Sequence, residues 1–173
     1  MYYSSKFLEK VRIPPSMFGK RITESALKIL REQYERTVQR DYGIIISLYN
    51  PKIVSSGKII PGDGSAYVDV EFEAIVFSPK VNEVVVGEVS EIVEFGAFVR
   101  LGPIDGLVHV SQVADDYFTY DKKKGVLTGR KSKSIIKKKD NVRAKIATVS
   151  FKDNIPNSKI ALTMRPTGLG KAK

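Results

Sequence analysis

The sequence predicts an α+β protein of two parts, in which a helix packed on an antiparallel sheet is followed by an all-β barrel. One helical hydrophobic pattern occurs, over residues 23–40, and long strand patterns lie on both sides of it. After Ser78-Pro79 the pattern changes to short strands separated by glycine-containing turns. We therefore expect two domains, residues 1–79 and residues 80–173, each with a thin core because of its small size.

The first part is predicted to contain one helix and three strand segments. The helix spans residues 23–40, with Thr23 as its N-cap and Gly43 as its C-terminal stop. Its apolar positions recur at helical spacing at Leu27, Leu30, Tyr34 and Val38. The strand patterns cover residues 2–13, 44–60 and 65–77.

Two features interrupt the strand pattern over residues 44–60. Asn50-Pro51 and Ser55-Ser56-Gly57 both predict a bend or a bulge, because these residue types disturb a regular ladder. The turn that follows contains Pro61-Gly62-Asp63-Gly64, whose residues accept positive φ angles. The predicted sheet of the first part is therefore antiparallel and locally bent.

The second part reads as five short strands joined by glycine turns, which is typical of an OB-fold barrel. The basic stretch over residues 117–139, between the third and fourth strands, is too long for a simple loop and predicts a hairpin. The strand patterns cover residues 84–93, 97–101, 106–110, 142–150 and 159–163.

Positive charge is concentrated in the second part. The chain carries a net charge of +10. Residues 1–79 hold eleven basic and nine acidic side chains, whereas residues 80–173 hold eighteen and ten. Between Lys122 and Lys145 there are eleven basic residues and a single acid, Asp140. This asymmetry predicts a polyanionic partner for the second part; the alternative is the solvated surface of a thermally robust protein.

Several classes of protein are disfavoured. There is no cysteine and only one histidine, which removes disulfides and zinc sets. No apolar run is long enough to cross a membrane, and the opening residues lack a signal-peptide pattern, so a cytoplasmic location without membrane contact is expected. Asp69, Glu71 and Glu73 alternate along one strand and are typical of a solvated sheet face rather than of a Mg²⁺ site. No enzyme activity, cofactor or metal is predicted.

Strand alternation places aromatic and basic side chains on the outside of the predicted barrel. Val99 and Leu101 face the core, so the side chains between and beside them face outward. Aromatic faces stack bases and cations bind phosphates, which is the chemistry that single-stranded RNA requires. The alternative is that the aromatic rings only cover the barrel. The predicted RNA-binding residues are Phe95, Phe98, Arg100, His109, Arg143, Lys145 and Lys159.

Two segments of the second part resemble a known RNA-binding family. Phe95-Gly96-Ala97-Phe98-Val99 and Gly106-Leu107-Val108-His109-Val110-Ser111 are similar to the RNA-binding OB domain first described in ribosomal protein S-one. The resemblance implies that Phe95, Phe98 and His109 form the RNA platform and that Lys159 supplies a basic group. Ser150 stands where family members often carry a carboxylate.

A second resemblance extends over the whole chain. The segments that carry it are Val11-Arg12-Ile13-Pro14-Pro15 with Phe18-Gly19, Pro61-Gly62-Asp63-Gly64, Ala74-Ile75-Val76-Phe77, and Leu162-Thr163-Met164-Arg165 with Gly168-Leu169-Gly170-Lys171. They resemble the family of the E-prime subunit of archaeal DNA-directed RNA polymerase, the counterpart of the seventh-largest subunit of eukaryotic RNA polymerase II. The resemblance implies a non-catalytic stalk subunit that pairs with the RNA polymerase F subunit, docks on the core enzyme and contacts emerging RNA.

The same resemblance implies a docking surface in the first part, formed by the tip of the N-terminal domain. The matching residues are Pro14, Pro15, Phe18, Gly19, Pro61, Gly62, Asp63 and Gly64. Two alternatives stay open. The chain could act mainly as an assembly bridge with incidental RNA contact, or it could be an OB-domain protein of translation or of an RNA-degrading complex.

Overall fold

The computed structural model describes residues 1–172. The chain divides into two compact units, Tyr2–Ser78 and the part that begins at Pro79, to which Met1 also belongs. The first unit is a helix on an antiparallel sheet, and the second is an all-β barrel with a hairpin insertion. The predicted α+β class and its two architectures are confirmed.

The first unit consists of one helix and five strands. The sheet order is β1-β5-β3-β2, with β4 beside β5, and every pairing is antiparallel. The helix packs against β3 and β1 and buries Ala26 and Leu30 in the core. The elements are β1 (Tyr2–Ile13), α1 (Ile22–Tyr34), β2 (Val38–Gln39), β3 (Gly43–Ile53), β4 (Lys58–Ile59) and β5 (Ala66–Phe77).

The helix is shorter than predicted, and its expected end at residue 40 is wrong. It stops at Tyr34, where the hydroxyl of Thr37 donates to the carbonyl oxygen of Tyr34 at 2.7 Å. Arg36 takes a left-handed φ of 62°, and its amide donates to the Ile45 carbonyl at 2.8 Å. The apolar period continued past this point in the sequence, but the backbone hydrogen bonds pass to the sheet and the chain continues as β2.

Both predicted helix boundaries are also corrected. The N-cap position is Arg21 rather than Thr23, and no side chain caps the amides there. Gly43 does not stop the helix but begins β3 with a φ of +107°. A Cβ on Gly43 would meet the carbonyl oxygen of Phe77 at 2.3 Å. Glycine is therefore required by the close approach of β3 and β5 and not by the helix.

The predicted strand over residues 44–60 is two strands. Pairing of β3 with β5 shifts register between Tyr49 and Lys52, and Asn50 has a φ of +51°, so the predicted bulge at Asn50-Pro51 is confirmed. The chain then leaves the ladder after Ile53 and returns at β4. The interruption at Ser55-Ser56-Gly57 is likewise confirmed as a break.

The second unit is a closed barrel of five strands. Its strands pair in the order β13-β8-β7-β6-β12, and β12 pairs back to β13. All pairings are antiparallel except that of β13 with β8. The five barrel strands lie within one residue of the predicted segments. They are β6 (Val84–Val93), β7 (Gly96–Arg100), β8 (Asp105–His109), β12 (Asn141–Ser150) and β13 (Lys159–Thr163).

The basic stretch between β8 and β12 forms a small sheet of its own, as the hairpin prediction expected. Its strands are β9 (Phe118–Asp121), β10 (Val126–Gly129) and β11 (Ile135–Ile136), in the order β11-β10-β9. A last short strand, β14 (Gly170–Lys171), pairs with β12. Leu127 and Ile136 are fully or nearly fully buried, so the insertion is packed rather than an extended loop.

Candidate nucleic-acid interface

The outer face of β13, β8 and β7 presents matched rows of side chains. Phe98 pairs with Leu107, and Leu107 pairs with Ala161. On one side of this row Gly96 pairs with His109, and on the other Arg100 pairs with Asp105. The inward positions between these rows, such as Val99, are buried in the barrel core. Alternation therefore points Phe98, Arg100 and His109 to one outer face, as predicted.

Phe95 and Phe98 form an aromatic pair. Their ring centroids are 6.4 Å apart and the rings are nearly perpendicular, with an interplanar angle of 84°. This edge-to-face arrangement is favourable for aromatic rings, yet half of the Phe95 surface remains exposed. The structure therefore leaves aromatic surface available to stack a base.

His109 lies at the edge of this pair. The amide of Val110, the next residue, donates to the Phe95 carbonyl at 2.8 Å. The His109 Nδ1 atom is 2.9 Å from the Ser111 hydroxyl and also accepts from the Ser111 amide at 3.3 Å. The contacts with Ser111 orient the imidazole, and the pairing of His109 with Gly96 keeps its backbone beside the segment that carries Phe95 and Phe98.

A groove of about 570 Å³ opens beside the two phenylalanines. This volume is in the range of ligand clefts. Its walls combine apolar surface with the polar groups of Asp105, Ser158 and Lys159, so Lys159 joins the aromatic pair at one site. The apolar lining comes from Phe95, Phe98, Pro103, Ile104, Leu107, Ile155, Pro156, Ile160 and Ala161.

Arg100 faces outward, but its cross-strand neighbours are acidic. It pairs with Glu88 on β6 and with Asp105 on β8. The Asp105 carboxylate also accepts a hydrogen bond from the Ser90 hydroxyl at 2.7 Å, and Ser90 lies at a bulge between β6 and β7. Two carboxylates beside one guanidinium reduce the positive potential that Arg100 offers a phosphate.

Arg143 and Lys145 point outward but do not share the face of the aromatic pair, contrary to the expectation of one shared surface. Both lie on β12, where they pair with Val86 and Val84 of β6. In the closed ring β12 is flanked by β6 and β13, so it is the strand farthest from β7 and β8. The sequence correctly predicted that both side chains point outward. Closure of the barrel places them on the side away from β7 and β8.

Sequence reasoning missed most of the residues that line the groove, Ile155, Pro156 and Asp105 among them. Ile155 and Pro156 form part of the apolar wall of the groove, and Asp105 supplies a carboxylate to its lining. An apolar pair in the otherwise polar segment over residues 152–158, directly before a strand, is the signal that could have found the wall. No comparable signal marked Asp105, because its position follows from strand pairing.

The two predicted docking segments lie next to each other in the first unit. Pro14 precedes a 3-10 turn over Pro15–Met17, and a Cβ on Gly64 would lie 3.8 Å from the Pro15 Cγ atom. Gly62 and Gly64 both have positive φ, 92° and 68°. Phe18 is 43% exposed. The remaining predicted docking residues, Gly19, Pro61 and Asp63, belong to the same two segments.

Asp63 is tied to two neighbouring strands. Arg12 on β1 binds its carboxylate through two nitrogens, with Nε donating to Oδ2 at 3.0 Å. The Tyr67 hydroxyl on β5 donates to the same Oδ2 at 2.7 Å. The Arg12 hydrogen bond and then that of Tyr67 hold the pKa of Asp63 well below its usual range. The turn is therefore fixed at three points on an exposed edge.

Within residues 1–172 no group of three or more histidine or carboxylate side chains is placed to hold a metal ion. Over the same range no helix has both the length and the apolar character needed to cross a membrane.

Comparison with known families agrees with the division into two units. The SHS2 domain found in the N terminus of Rpb7p/Rpc25p/MJ0397 matches residues 9–64, and the S1 RNA binding domain matches residues 78–156. The S1 match includes Phe95, Phe98 and His109. These two domains in this order define an accessory, non-catalytic subunit of a DNA-directed RNA polymerase.

Relatives over the full length identify the family. The chain is 45% identical over 171 residues to DNA-directed RNA polymerase subunit Rpo7 of Saccharolobus shibatae, which covers 99% of this chain and 95% of that protein. It is 28% identical over 148 residues to RNA polymerase II subunit RPB7 of Saccharomyces cerevisiae, covering 84% and 86% of the two chains. The chain therefore belongs to the Rpo7 family of RNA polymerase subunits, and the resemblance to the archaeal E-prime subunit is confirmed.

A solved structure shares a more distant likeness. The apo form of Mycoplasma genitalium RNase R aligns with a TM-score of 0.41 and 30% identity, covering 47% of this chain and 13% of that chain. This likeness is too low to bear on function.

Proposed function

We propose that this chain is the stalk subunit that pairs with the RNA polymerase F subunit, docks on core RNA polymerase through its first unit, and binds emerging single-stranded RNA through its barrel. The observation that carries the RNA part is that Phe95, Phe98 and Lys159 line one groove, while His109 pairs with Gly96 on the neighbouring strand. In a chain of the Rpo7 family, such a surface is suited to a transcript leaving the enzyme. The expected cytoplasmic location is part of the same proposal.

RNA binding follows two steps. The excess of cations in the second part attracts the polyanion, which is an effect of the whole field and not of one contact. Bases then stack on the exposed faces of Phe95 and Phe98, and each stacked base contributes about 1–3 kcal/mol without demanding a sequence. Lys159, at the groove, is the cation best placed to bind a phosphate beside a stacked base.

Docking follows from the rigid edge of the first unit. The turn of Pro61-Gly62-Asp63-Gly64 is held by Arg12 and Tyr67, and the Pro14-Pro15 segment lies beside it. A preorganised surface loses less conformational entropy on binding than a mobile loop does. Exposed Phe18 supplies apolar area at the same edge.

RNA affinity of the pure full-length chain tests the platform. Phe98→Ala combined with His109→Ala removes one stacking ring and the imidazole, and the loss of about 1–3 kcal/mol per base corresponds to roughly 5- to 150-fold weaker binding. Tyr3→Ala is the matched control, because Tyr3 is an exposed aromatic residue of the other unit. Unchanged affinity in the double variant would exclude the platform.

Co-purification tests the partner assignments separately. Tagged full-length chain from a native extract is expected to bring down the F subunit and the large polymerase subunits. If the platform variants lose RNA affinity but retain these partners, docking and RNA binding are distinct functions of the two units. If RNA affinity is unaffected and the partners are retained, the chain is an assembly bridge instead.

A further inference from the structure

A second groove opens on the barrel unit next to the aromatic pair. Its volume is about 450 Å³, within the range of ligand clefts. The proposed platform does not use it. Its polar and aromatic lining comes from Ser111, Asp115, Asp116, Tyr117, Lys131 and Arg165.

The second groove begins where the platform ends. Ser111 lines it, and the Ser111 hydroxyl is 2.9 Å from His109 Nδ1. The adjacent amide of Val110 donates to the carbonyl of Phe95. A ligand that lies across Phe95 and His109 therefore reaches the second groove without crossing another strand.

Tyr117 is an exposed ring on a fixed backbone. The residue is 66% exposed, although its amide donates to Asp116 at 2.6 Å and its carbonyl accepts from the Arg130 amide at 3.0 Å. The Arg130 guanidinium lies over the ring, with its central carbon 4.7 Å from the centroid. Backbone bonds and the cation–π contact thus hold an aromatic surface in place without burying it.

The carboxylates at this groove are engaged within the protein. Asp116 accepts from the amides of Lys131 and Ser132 and from the Ser132 hydroxyl, at 3.0, 2.8 and 2.8 Å. Asp115 pairs with Arg165 at 2.7 Å. Arg165 compensates the charge of Asp115. The ionised Asp116 is then left against two cations, Arg130 and Lys131, so the net charge that approaching phosphates meet is positive.

We propose that this groove is a second nucleotide subsite for the same RNA strand, with Tyr117 as its stacking surface and Arg130 and Lys131 as its phosphate-binding cations. The subsite rests on the proposed RNA-binding function. The strand runs from Phe95 and Phe98 across His109 to Tyr117, so the barrel and its hairpin insertion bind one longer segment of RNA. An OB fold with such an extension lies within the known span of about 4–16 nucleotides per barrel.

Length dependence of RNA affinity separates the two subsites. The full-length chain is titrated with fluorescent oligouridines of about 4 and 12 nucleotides, which both fall within that span. We expect Tyr117→Ala to weaken binding of the long RNA at least roughly 5-fold, the loss of one stacked base, and to leave the short RNA unchanged. Phe98→Ala is expected to weaken both lengths.

Two controls accompany this titration. Tyr120→Ala changes a tyrosine of the same hairpin that does not line the groove and should leave both affinities unchanged. Tyr117→Phe keeps the stacking ring and should bind as the unchanged chain does. Tyr117 is exposed, so folding is expected to survive, and thermal unfolding of each variant checks this.

Assembled polymerase provides a second readout. A transcript carrying 4-thiouridine should crosslink to the segment that contains Tyr117, and Arg130→Gln should reduce that crosslink. If Tyr117→Ala leaves every RNA length unaffected while Phe98→Ala weakens binding, the second subsite is wrong and the proposed function stands. If Phe98→Ala and His109→Ala have no effect, the platform is wrong. A transcript that crosslinks to the barrel strands but not to the segment containing Tyr117 would also overturn the subsite.

Discussion

Gly96 on β7 lies directly opposite His109 on β8, and a Cβ at residue 96 would come within 2.2 Å of the carbonyl oxygen of Val108 and 3.1 Å of the His109 Cα atom. The two strands can therefore approach only because residue 96 has no side chain. Phe95 and Phe98 flank this point on the chain. The position of the imidazole relative to both rings thus depends on one glycine.

Gly96→Ala is expected to destabilise the barrel by about 1–3 kcal/mol, the usual cost of forcing an extra carbon into a packed site. Because the strands must separate at His109, RNA affinity should fall as well. Denaturant unfolding and RNA titration measure the two effects. Gly19→Ala is the matched control for stability, since a Cβ there meets nothing within 4 Å. Equal stability of both variants would contradict the close-approach explanation.

The salt dependence of RNA affinity distinguishes Lys159, which lines the groove, from Arg143 and Lys145 on β12. Each phosphate contact with a single strand contributes about −0.7 to the log–log slope of affinity against salt. Lys159→Ala should make the slope shallower by about this amount. Arg143→Ala and Lys145→Ala should change it much less, because both residues lie on β12, away from the aromatic pair. If Arg143→Ala or Lys145→Ala changed the salt slope more than Lys159→Ala does, RNA would follow another path on the barrel.

Asp63→Asn tests whether the fixed turn contributes to docking. The amide retains the size of the carboxylate but loses the charge that binds Arg12. We expect weaker binding to core polymerase and faster amide hydrogen exchange in the turn, with little change in global unfolding because the ion pair is exposed. Lys10→Ala, which removes another exposed ion pair on β1, is the control and should dock normally. Unchanged docking of the Asp63 variant would separate the turn from the interface.

The hydrogen bonds to Asp116 predict that its carboxyl group titrates at an unusually low pH. Bonds from the Ser132 amide and hydroxyl, together with the Lys131 amide, lower the pKa of Asp116 to about 2. A lowered carboxyl pKa adds stability that is complete above the ordinary value of 3.8 and is lost as pH falls through about 2. Carbon NMR of the labelled carboxyl group measures this pKa directly.

Gly129→Ala should reverse the lowering of the Asp116 pKa. A Cβ at residue 129 would meet the Ser132 hydroxyl oxygen at 2.5 Å and the Asp116 Oδ2 atom at 2.6 Å. The bonds to Asp116 must then lengthen, and its pKa should move back toward 3.8. A pKa that stays near 2 in this variant would show that the turn adjusts without opening.

Barrel strands were predictable because two independent signals agreed along each of them. Alternation of apolar side chains, as at Ala97 and Val99, coincided with glycines at the strand ends and at close approaches. The helix end was not predictable, because Val38 continued the apolar period. Only the left-handed Arg36 and the pairing of β2 with β3, which depend on tertiary contacts, redirect the chain.

The candidate site was predictable in part, again from strand periodicity. Strand periodicity gives the direction of each side chain, so Phe98, His109 and Lys159 were correctly expected on the outside. Periodicity does not give the order of strands around a closed barrel. The far position of Arg143 and the contribution of Ile155 to the groove both follow from that order.

The parallel pairing of β13 with β8 has a consequence for how the protein matures on the ribosome. Leu107 and Ala161 are partners but are far apart in the chain, so the contact forms only after nearly the whole second unit has been synthesised. Contacts between such distant segments form slowly, because a long loop must close first. The early strands β6 to β8 therefore keep apolar surface uncovered until β13 pairs with β8, and the groove that Lys159 lines is completed last.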